Sequence, residues 1–348
     1  MRFAFICKGK GGKKGSIAIV GAGPAGLAAT GYLACMGYDV DVYEKLPYAG
    51  GLMMFAIPIN RIHPENVIEG IEDLKDRLSV KFYFKTKVFA KGQTRHDEGD
   101  EFVERIVDID DIIGKYDAIL ISTGTWSSRK LGVEGENSKN VLTALEYLHH
   151  WRLYEEKIVS EKPPIGRKVV VVGAGLSAID AAEKAFEAGA EVSIVYRRTI
   201  AEAPAGIYTI NSLIRRGIRF IELVQPTKIV SEGGRAKGIE LMKMKLGEPD
   251  ETGRPRPIPV PGTEFVIEAD LIILAVGEIP TPPFTDKFMN IAADKSRRIL
   301  VNDRYQTAIE KIFAAGDVVT GPSFVGKAFG SGLRAAKFLD NYISYFRR

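Results

Sequence analysis

The sequence predicts an α/β protein made of two three-layer domains, each built on a parallel sheet, with the second domain inserted into the first. Two observations carry this. An apolar strand, a glycine-rich turn, a small-residue helix and a second strand occur in that order twice. The first copy is Ile17-Ala-Ile-Val-Gly21-Ala-Gly23-Pro24-Ala25-Gly26, ending at Val-Asp-Val-Tyr43-Glu44-Lys45. The second is Val169-Val-Val-Val-Gly173-Ala-Gly175-Leu176-Ser177-Ala178, ending at Ser-Ile-Val-Tyr196-Arg197-Arg198. The other observation is size: 348 residues, 45% of them apolar, are ample for two buried cores. The expected boundaries are 1–160 with 280–348 for the outer domain and 161–279 for the insert. Lys162-Pro-Pro-Ile-Gly166 reads as the linker, and Pro280, Pro282 and Pro283 mark the return.

Each repeat has the context that gives a glycine pattern meaning, a strand before it and a helix after it. The glycines allow a tight turn and close approach of backbone to a pyrophosphate, and the helix N-terminus supplies N–H donors and partial positive charge. These are Rossmann-like units. The residues ending the second strand differ between them. An acid there accepts from a ribose 2′-hydroxyl, so Glu44, followed by Lys45, suits an unphosphorylated ribose. Arginines suit a 2′-phosphate, so Arg197 and Arg198 suit NADP(H). An acid-ended and an arginine-ended unit in one chain read as a flavoprotein that takes hydride from NADPH.

The remaining segments follow in order. Residues 8–15 are basic and glycine-rich and precede Ser16, but the next residues form an apolar strand pattern. A phosphate-binding P-loop must open a helix, so that reading fails. A solvated arm, or the lip of a phosphate or partner site, remains. Gly50-Gly51-Leu52-Met53 precedes an apolar run and suits either backbone passing a large flat ligand or a buried turn. Residues 64–78 have helical amphipathic spacing, 80–88 alternate like a strand, and 91–105 read as a polar loop. Tyr116 to Thr125 is an apolar strand ending in small residues, including Gly124 and Thr125. Residues 270–278 form another, meeting Gly277. Lys311 to Val318 is a last strand with Gly316-Asp317, and a helix pattern runs from about 323 to 342.

Composition narrows the function classes. The net charge of +4 is mild, and no nucleic-acid motif stands out. No apolar run reaches the length of a membrane span, and the N-terminus is too short in apolar residues for a signal peptide. The two cysteines, Cys7 and Cys35, do not form CxxC, so a dithiol reductase mechanism is not expected. They are also two short of the thiolates for an ordinary iron–sulfur cluster. Cys35 lies in a small-residue helix pattern and reads as buried packing; Cys7 reads as buried or exposed. No metal site and no catalytic side chain is expected. Low cysteine content and NADPH use together point to the cytoplasm.

With these pieces in order, the chain resembles the two-dinucleotide-domain flavoproteins, pyridine nucleotide-disulfide-oxidoreductase-like in fold. The likeness is greatest to the small (β) subunit of NADPH-dependent glutamate synthase and its relatives. The matching stretches are Gly21–Gly26, Gly50-Gly51-Leu52 with Phe55-Ala56-Ile57-Pro58, Ser122–Thr125, Gly173–Ala178, Tyr196-Arg197-Arg198 and Gly316-Asp317. The segment from Leu246-Gly247-Glu248-Pro249-Asp250 through Gly262 belongs to that branch in particular. The resemblance implies FAD at Gly21, Gly23 and Gly26 with Pro24 and Ala25 between them, the adenosine ribose at Glu44, and the flavin beside Gly51, Leu52 and Met53. It implies that Asp317 meets the ribityl–phosphate region and that a helix N-terminus at or just before Gly330-Ser331-Gly332 faces the flavin. Gly173, Gly175, Arg197 and Arg198 would hold NADP(H), and Gly277 would border the nicotinamide cleft.

Two departures from that family matter. In place of the family's cysteine-rich N-terminal iron–sulfur domain a short arm is expected, and Leu176-Ser177 stand where Asp-Thr is frequent. Electrons leaving FAD therefore need an external acceptor or a partner protein, an iron–sulfur subunit among the candidates; a homo-oligomer is compatible with this. The expected function is an FAD-containing NAD(P)H-dependent oxidoreductase. The alternative is an FAD-binding electron conduit of a heterodisulfide-reductase-like assembly without productive NADPH use. A flavin monooxygenase or amine oxidase fits less well: the Leu246–Gly262 segment argues against both, and the complete second unit argues against the oxidase.

Overall fold

The computed structural model describes residues 3, 7, 15–250, 253–285 and 287–346. Most of the basic arm at 8–15 lies outside them. The chain divides into two compact units, Met1–Ser127 with Glu278–Arg348, and Ser128–Gly277. The first crossing thus falls well before the expected position near 160. The cause is local to the second unit: the strand Val141–Thr143 pairs with Leu271–Leu274, and the helix Ala144–Glu155 follows it, so both complete that unit rather than the first. The Pro163-Pro164 stretch is then an internal connection between this helix and the strand Lys168–Val172.

In the first unit a five-stranded sheet has the order Ile312–Ala314, Ala118–Ile121, Ser16–Val20, Asp39–Tyr43, Lys81–Tyr83, every pair parallel. Ile17, Ala18, Ile19 and Ile119 are fully buried, as continuous apolar strands covered on both faces must be. The amphipathic segment is the helix Pro64–Leu78, packing Val67, Ile71 and Leu74 inward. The alternating stretch at 80–88 is not one strand. It breaks at Lys85, which has a positive φ of 52°, into Lys81–Tyr83 and Thr86–Phe89, and the latter pairs with Arg105–Asp108. The last helix is Val325–Phe346. Gly332 lies inside it: a Cβ there would stand 2.1 Å from the Ala25 carbonyl, so this glycine lets the last helix touch the first.

Cys7 and Cys35 form a disulfide. Cys35 is indeed buried at the end of the helix Pro24–Cys35, but its sulfur is bonded and not merely packed. No sequence pattern marks the pairing, because the partner lies beyond a glycine-rich stretch without periodicity.

The second unit repeats the architecture, with a parallel sheet ordered Arg219–Ile221, Glu191–Val195, Lys168–Val172, Leu271–Leu274, Val141–Thr143. It also carries an antiparallel sheet of Val224–Glu232, Arg235–Pro249 and Pro255–Pro259, with Phe265–Glu268 on the long central strand. Ile229, Ile239 and Leu241 of this sheet pack with Val170, Val172 and Ile272 of the parallel one. The segment singled out from Leu246 to Gly262 contains the end of the strand Arg235–Pro249 and its antiparallel partner Pro255–Pro259.

Candidate functional site

In both units the glycine turn lies at the carboxyl end of the central strand, Ser16–Val20 or Lys168–Val172, where ligands of open parallel α/β sheets bind. The three glycines of the first turn do different work. A Cβ on Gly21, whose φ is +98°, would stand 2.6 Å from the Ser122 carbonyl, and one on Gly26 would stand 2.0 Å from the Gly21 carbonyl. Those two permit the turn and the close packing of helix on strand. Gly23 has nothing within 4 Å of its Cβ position: its open side faces the cavity that Gly21, Gly23, Pro24 and Ala25 line. Gly23 also starts the helix Pro24–Cys35 with no side-chain cap. The first-turn N–H groups therefore stay available to an outside acceptor.

That cavity is a cleft lined by residues from several separated stretches of the first unit, the usual character of a small-molecule or cofactor site. Within the first unit it brings together Glu44, Lys45, Gly51, Leu52, Met53, Gly124, Thr125, Gly316 and Asp317 with the glycine turn. Gly26 packs behind it. The Gly50-Gly51 pair satisfies both of its readings. Gly50 donates to the Ala22 carbonyl at 2.8 Å, a tight turn against the fingerprint, and Gly51, with φ of +54°, lines the cavity.

Glu44 is buried. Its Oε2 accepts from the Ala22 N–H at 2.7 Å and its Oε1 from Leu46 at 3.0 Å. Burial pushes its pKa up, and these two backbone donors oppose the shift. The carboxylate is thus fixed in place with lone pairs remaining for hydroxyl donors. Asp317, also raised by burial, accepts from Ser323 Oγ at 2.6 Å. The helix facing the cavity starts at Val325, close to the expected 323 and ahead of Gly330, and Ser323, Val325 and Ala328 line the space.

One wall was not legible in the sequence. The 91–105 segment is irregular, as expected, yet it is held by charges. Lys45 Nζ meets Asp100 at 2.9 Å, Lys87 pairs with the same carboxylate, and Arg95 Nε reaches Asp97 at 2.8 Å and donates through its two terminal nitrogens to the carbonyls of Phe284 and Pro282. Lys45, Lys87, Arg95 and Asp97 line the cavity, as does Trp126, whose ring lies 5.0 Å from Lys45 Nζ. Such a run of mixed charge normally reads as a solvated face, and nothing in its spacing names the partners.

In the second unit, Gly173 has φ of +128° and a Cβ there would stand 2.3 Å from the Ala275 carbonyl, whereas Gly175 has nothing within 4 Å. Gly175 starts the helix Leu176–Glu187 without a side-chain cap, repeating Gly23. The strand registers align the two units: Val20 pairs with Tyr43, and Val172 with Val195. Gly21 N–H donates to Tyr43 at 2.8 Å and Gly173 N–H to Val195 at 3.0 Å. The counterpart of Glu44 is therefore Tyr196. Arg197 is exposed and has no ion pair or hydrogen bond among the described residues. Arg198 is buried, with Nε on the Pro255 carbonyl at 2.7 Å and Nη2 on Asp250 at 3.0 Å. The two arginines adjacent in sequence thus separate in space. Gly277, with φ of +109°, is the last residue of this unit, its carbonyl accepting from the Arg129 N–H at 2.8 Å.

The family model for pyridine nucleotide-disulphide oxidoreductases matches residues 15–332. The chain belongs to this family. It is 36% identical over 336 residues to the β subunit of the NADP(+)-dependent formate dehydrogenase of Moorella thermoacetica, covering 95% of this chain and 44% of that protein. It is 31% identical to the small chain of Escherichia coli glutamate synthase [NADPH], covering 95% of this chain and 69% of that one. The expected likeness to the glutamate synthase small chain is thus present over nearly the whole chain. Among solved structures, Mycobacterium tuberculosis FprA in complex with NADPH has a similar fold, with a TM-score of 0.78 at 19% identity over 96% of this chain and 85% of that one. The chain spans about half the length of the first curated relatives it matches, 44% and 50%. Among the described residues no helix is long and apolar enough to cross a membrane.

Proposed function

We propose that this chain is the FAD- and NADP(H)-binding oxidoreductase component of a larger redox system. The first unit holds FAD, the second holds NADP(H), and a separate partner takes the electrons. The observation that carries the reading is the pair of glycine turns, each with an open middle glycine at a bare helix start, combined with Glu44 in one unit and Tyr196-Arg197 at the same place in the other.

The first cavity fits FAD on a separate ground. Thr123 and Thr125 each bury a hydroxyl with no hydrogen-bond partner among the described residues, and both line the cavity. Buried hydroxyls of this kind ask for a polar ligand. Gly23 and the first-turn N–H groups would take the pyrophosphate, and Glu44 the adenosine ribose hydroxyls. Asp317 would take the ribityl side, and Gly51 with Met53 a face of the ring. The N-terminus of Val325–Phe346 favours negative charge in front of it. Bound FAD would supply acceptance of an electron pair from a nicotinamide and onward delivery of electrons, with alignment and electrostatics left to the protein.

The names of the relatives, subunits of formate dehydrogenase and of glutamate synthase, support a partner subunit, an iron–sulfur protein being the kind that accepts single electrons from a flavin. NADPH use supports a cytoplasmic setting, although the Cys7–Cys35 disulfide is unusual there. The alternative, an FAD conduit without NADPH use, draws on one observation: Arg198 is engaged within the protein. Anaerobic mixing of the flavin-loaded protein with NADPH decides between them. Bleaching of the flavin absorbance is expected, and its absence would leave the conduit reading.

A further inference from the structure

Asp250 follows the strand Arg235–Pro249 and Arg254 precedes its partner strand Pro255–Pro259, and both are bonded to residues just beyond the strand Glu191–Val195. Asp250 makes two of these links with one carboxylate. Its Oδ1 accepts from the Arg254 N–H at 3.3 Å, and its Oδ2 from Arg198 Nη2 at 3.0 Å. The Asp250 N–H donates to the Arg254 carbonyl at 2.8 Å. Arg198 Nε holds the next carbonyl, that of Pro255. Arg198 is a tether here.

The tether delivers a second guanidinium to the strand end. Arg254 Nη2 donates to the Tyr196 hydroxyl at 2.9 Å and to the Glu202 carbonyl at 2.6 Å. Tyr196 is the counterpart of Glu44. Where the first unit presents a carboxylate to a ribose, the second presents a phenol with an arginine on its oxygen. Arg254 is only half-buried, and its Nε and Nη1 have no partner among the described residues. Among the described residues, Asp250 is taken by Arg198 and the Arg254 N–H, Glu202 by the Thr199 hydroxyl and N–H, and Glu222 accepts from the Ile200 N–H.

We propose that Arg254 is a ligand of the adenosine 2′-phosphate of NADP(H), acting with Arg197, and that Arg198 and Asp250 are positioning residues that hold its hairpin in place. This rests on the NADP(H) reading and deepens it. A monoester phosphate has three oxygens, and two guanidinium groups approaching from different chain segments match it better than two adjacent residues of one strand end, whose side chains diverge. A carboxylate at Tyr196 would repel that group, and the sequence has none there.

Calorimetric titration of the full chain with 2′,5′-ADP and with 5′-ADP tests this without requiring turnover. Wild type is expected to prefer 2′,5′-ADP. Arg254→Ala should lower that preference by about ten- to a hundredfold, the worth of one charge-assisted hydrogen bond, and leave 5′-ADP binding unchanged. Arg254→Gln keeps donors for Tyr196 and Glu202 but has no charge, so it should lose the preference equally. A charge-free Arg254→Gln protein with wild-type preference would overturn the assignment and leave the NADP(H) reading standing. A wild-type protein that does not prefer 2′,5′-ADP would overturn both.

Discussion

Glu44 and Tyr196 occupy the same position in two registers: each follows the strand residue whose carbonyl takes the N–H of the first fingerprint glycine. Glu44 turns back to the Ala22 N–H, while Tyr196 turns to the Glu202 carbonyl and Arg254. A carboxylate accepts two backbone donors inside the turn. A phenol is longer and reaches past it, so the second turn is left without an internal acid. The same fold thereby presents opposite charge to the two nucleotides it is proposed to hold.

Gly23 and Gly26 should separate binding from folding. Gly23→Ala adds a methyl into open space and should cost about 1 kcal/mol of stability or less, the size of a weakened N-cap. Its flavin content after reconstitution should nevertheless fall sharply, because the methyl lies where the pyrophosphate would approach. Gly26→Ala places a carbon 2.0 Å from the Gly21 carbonyl and should cost roughly 1–3 kcal/mol or more. Thermal melts of the flavin-free proteins with flavin-to-protein ratios check both.

The charged wall should make stability fall in acid. Burial works to raise the Asp100 pKa, but Lys45 and Lys87 outweigh it and hold it below its ordinary 3.8. A depressed carboxylate contributes stability above its unfolded pKa and loses it as pH falls through the folded one. Asp100→Asn should therefore destabilise by about 3 kcal/mol at pH 7, since it leaves two lysines without their shared partner. The difference should shrink toward zero below the folded pKa. Urea titrations at pH 7, 4 and 3 measure it; an Asp100→Asn penalty that is constant with pH would contradict the pairing.

Trp126 should report the ligand. The chain has two tryptophans, and Trp126 lines the cavity of the first unit while Trp151 lies on a helix of the second. Adding FAD to flavin-free protein should quench indole emission, and Trp126→Phe should remove most of that quenching. Undiminished quenching in the variant would place the flavin elsewhere.

The Cys7–Cys35 link should be detectable as the absence of free thiol. Ellman titration of the unreduced, denatured protein should find none, and reduction should release two per chain, the whole cysteine content. Closing a loop across a separation of 28 residues stabilises by roughly 3–4 kcal/mol in the chain-entropy treatment. Cys35→Ser should melt correspondingly lower than the oxidised protein and close to the reduced one.

The sequence by itself determined what short-range pattern can encode. Strand, glycine turn and helix are adjacent in the chain, so both nucleotide turns, the acid at 44 and the arginines at 197 and 198 were legible, as were the helix at 64–78 and the family. Tertiary structure decided whatever depends on partners far apart. The first crossing lies at Ser127 because Val141–Thr143 finds its sheet partner at Leu271–Leu274. The 91–105 segment became a wall because Lys45, Lys87 and the Pro282 and Phe284 carbonyls come to it from elsewhere. Arg198 left the strand end for Asp250, and Arg254 arrived there across 58 residues of sequence from Tyr196. The first is a strand pairing between segments far apart in the chain; the other two share another physical reason. Hydrogen bonds and ion pairs of charged side chains are chosen by proximity after the sheets have formed, and nothing periodic in the sequence records that choice.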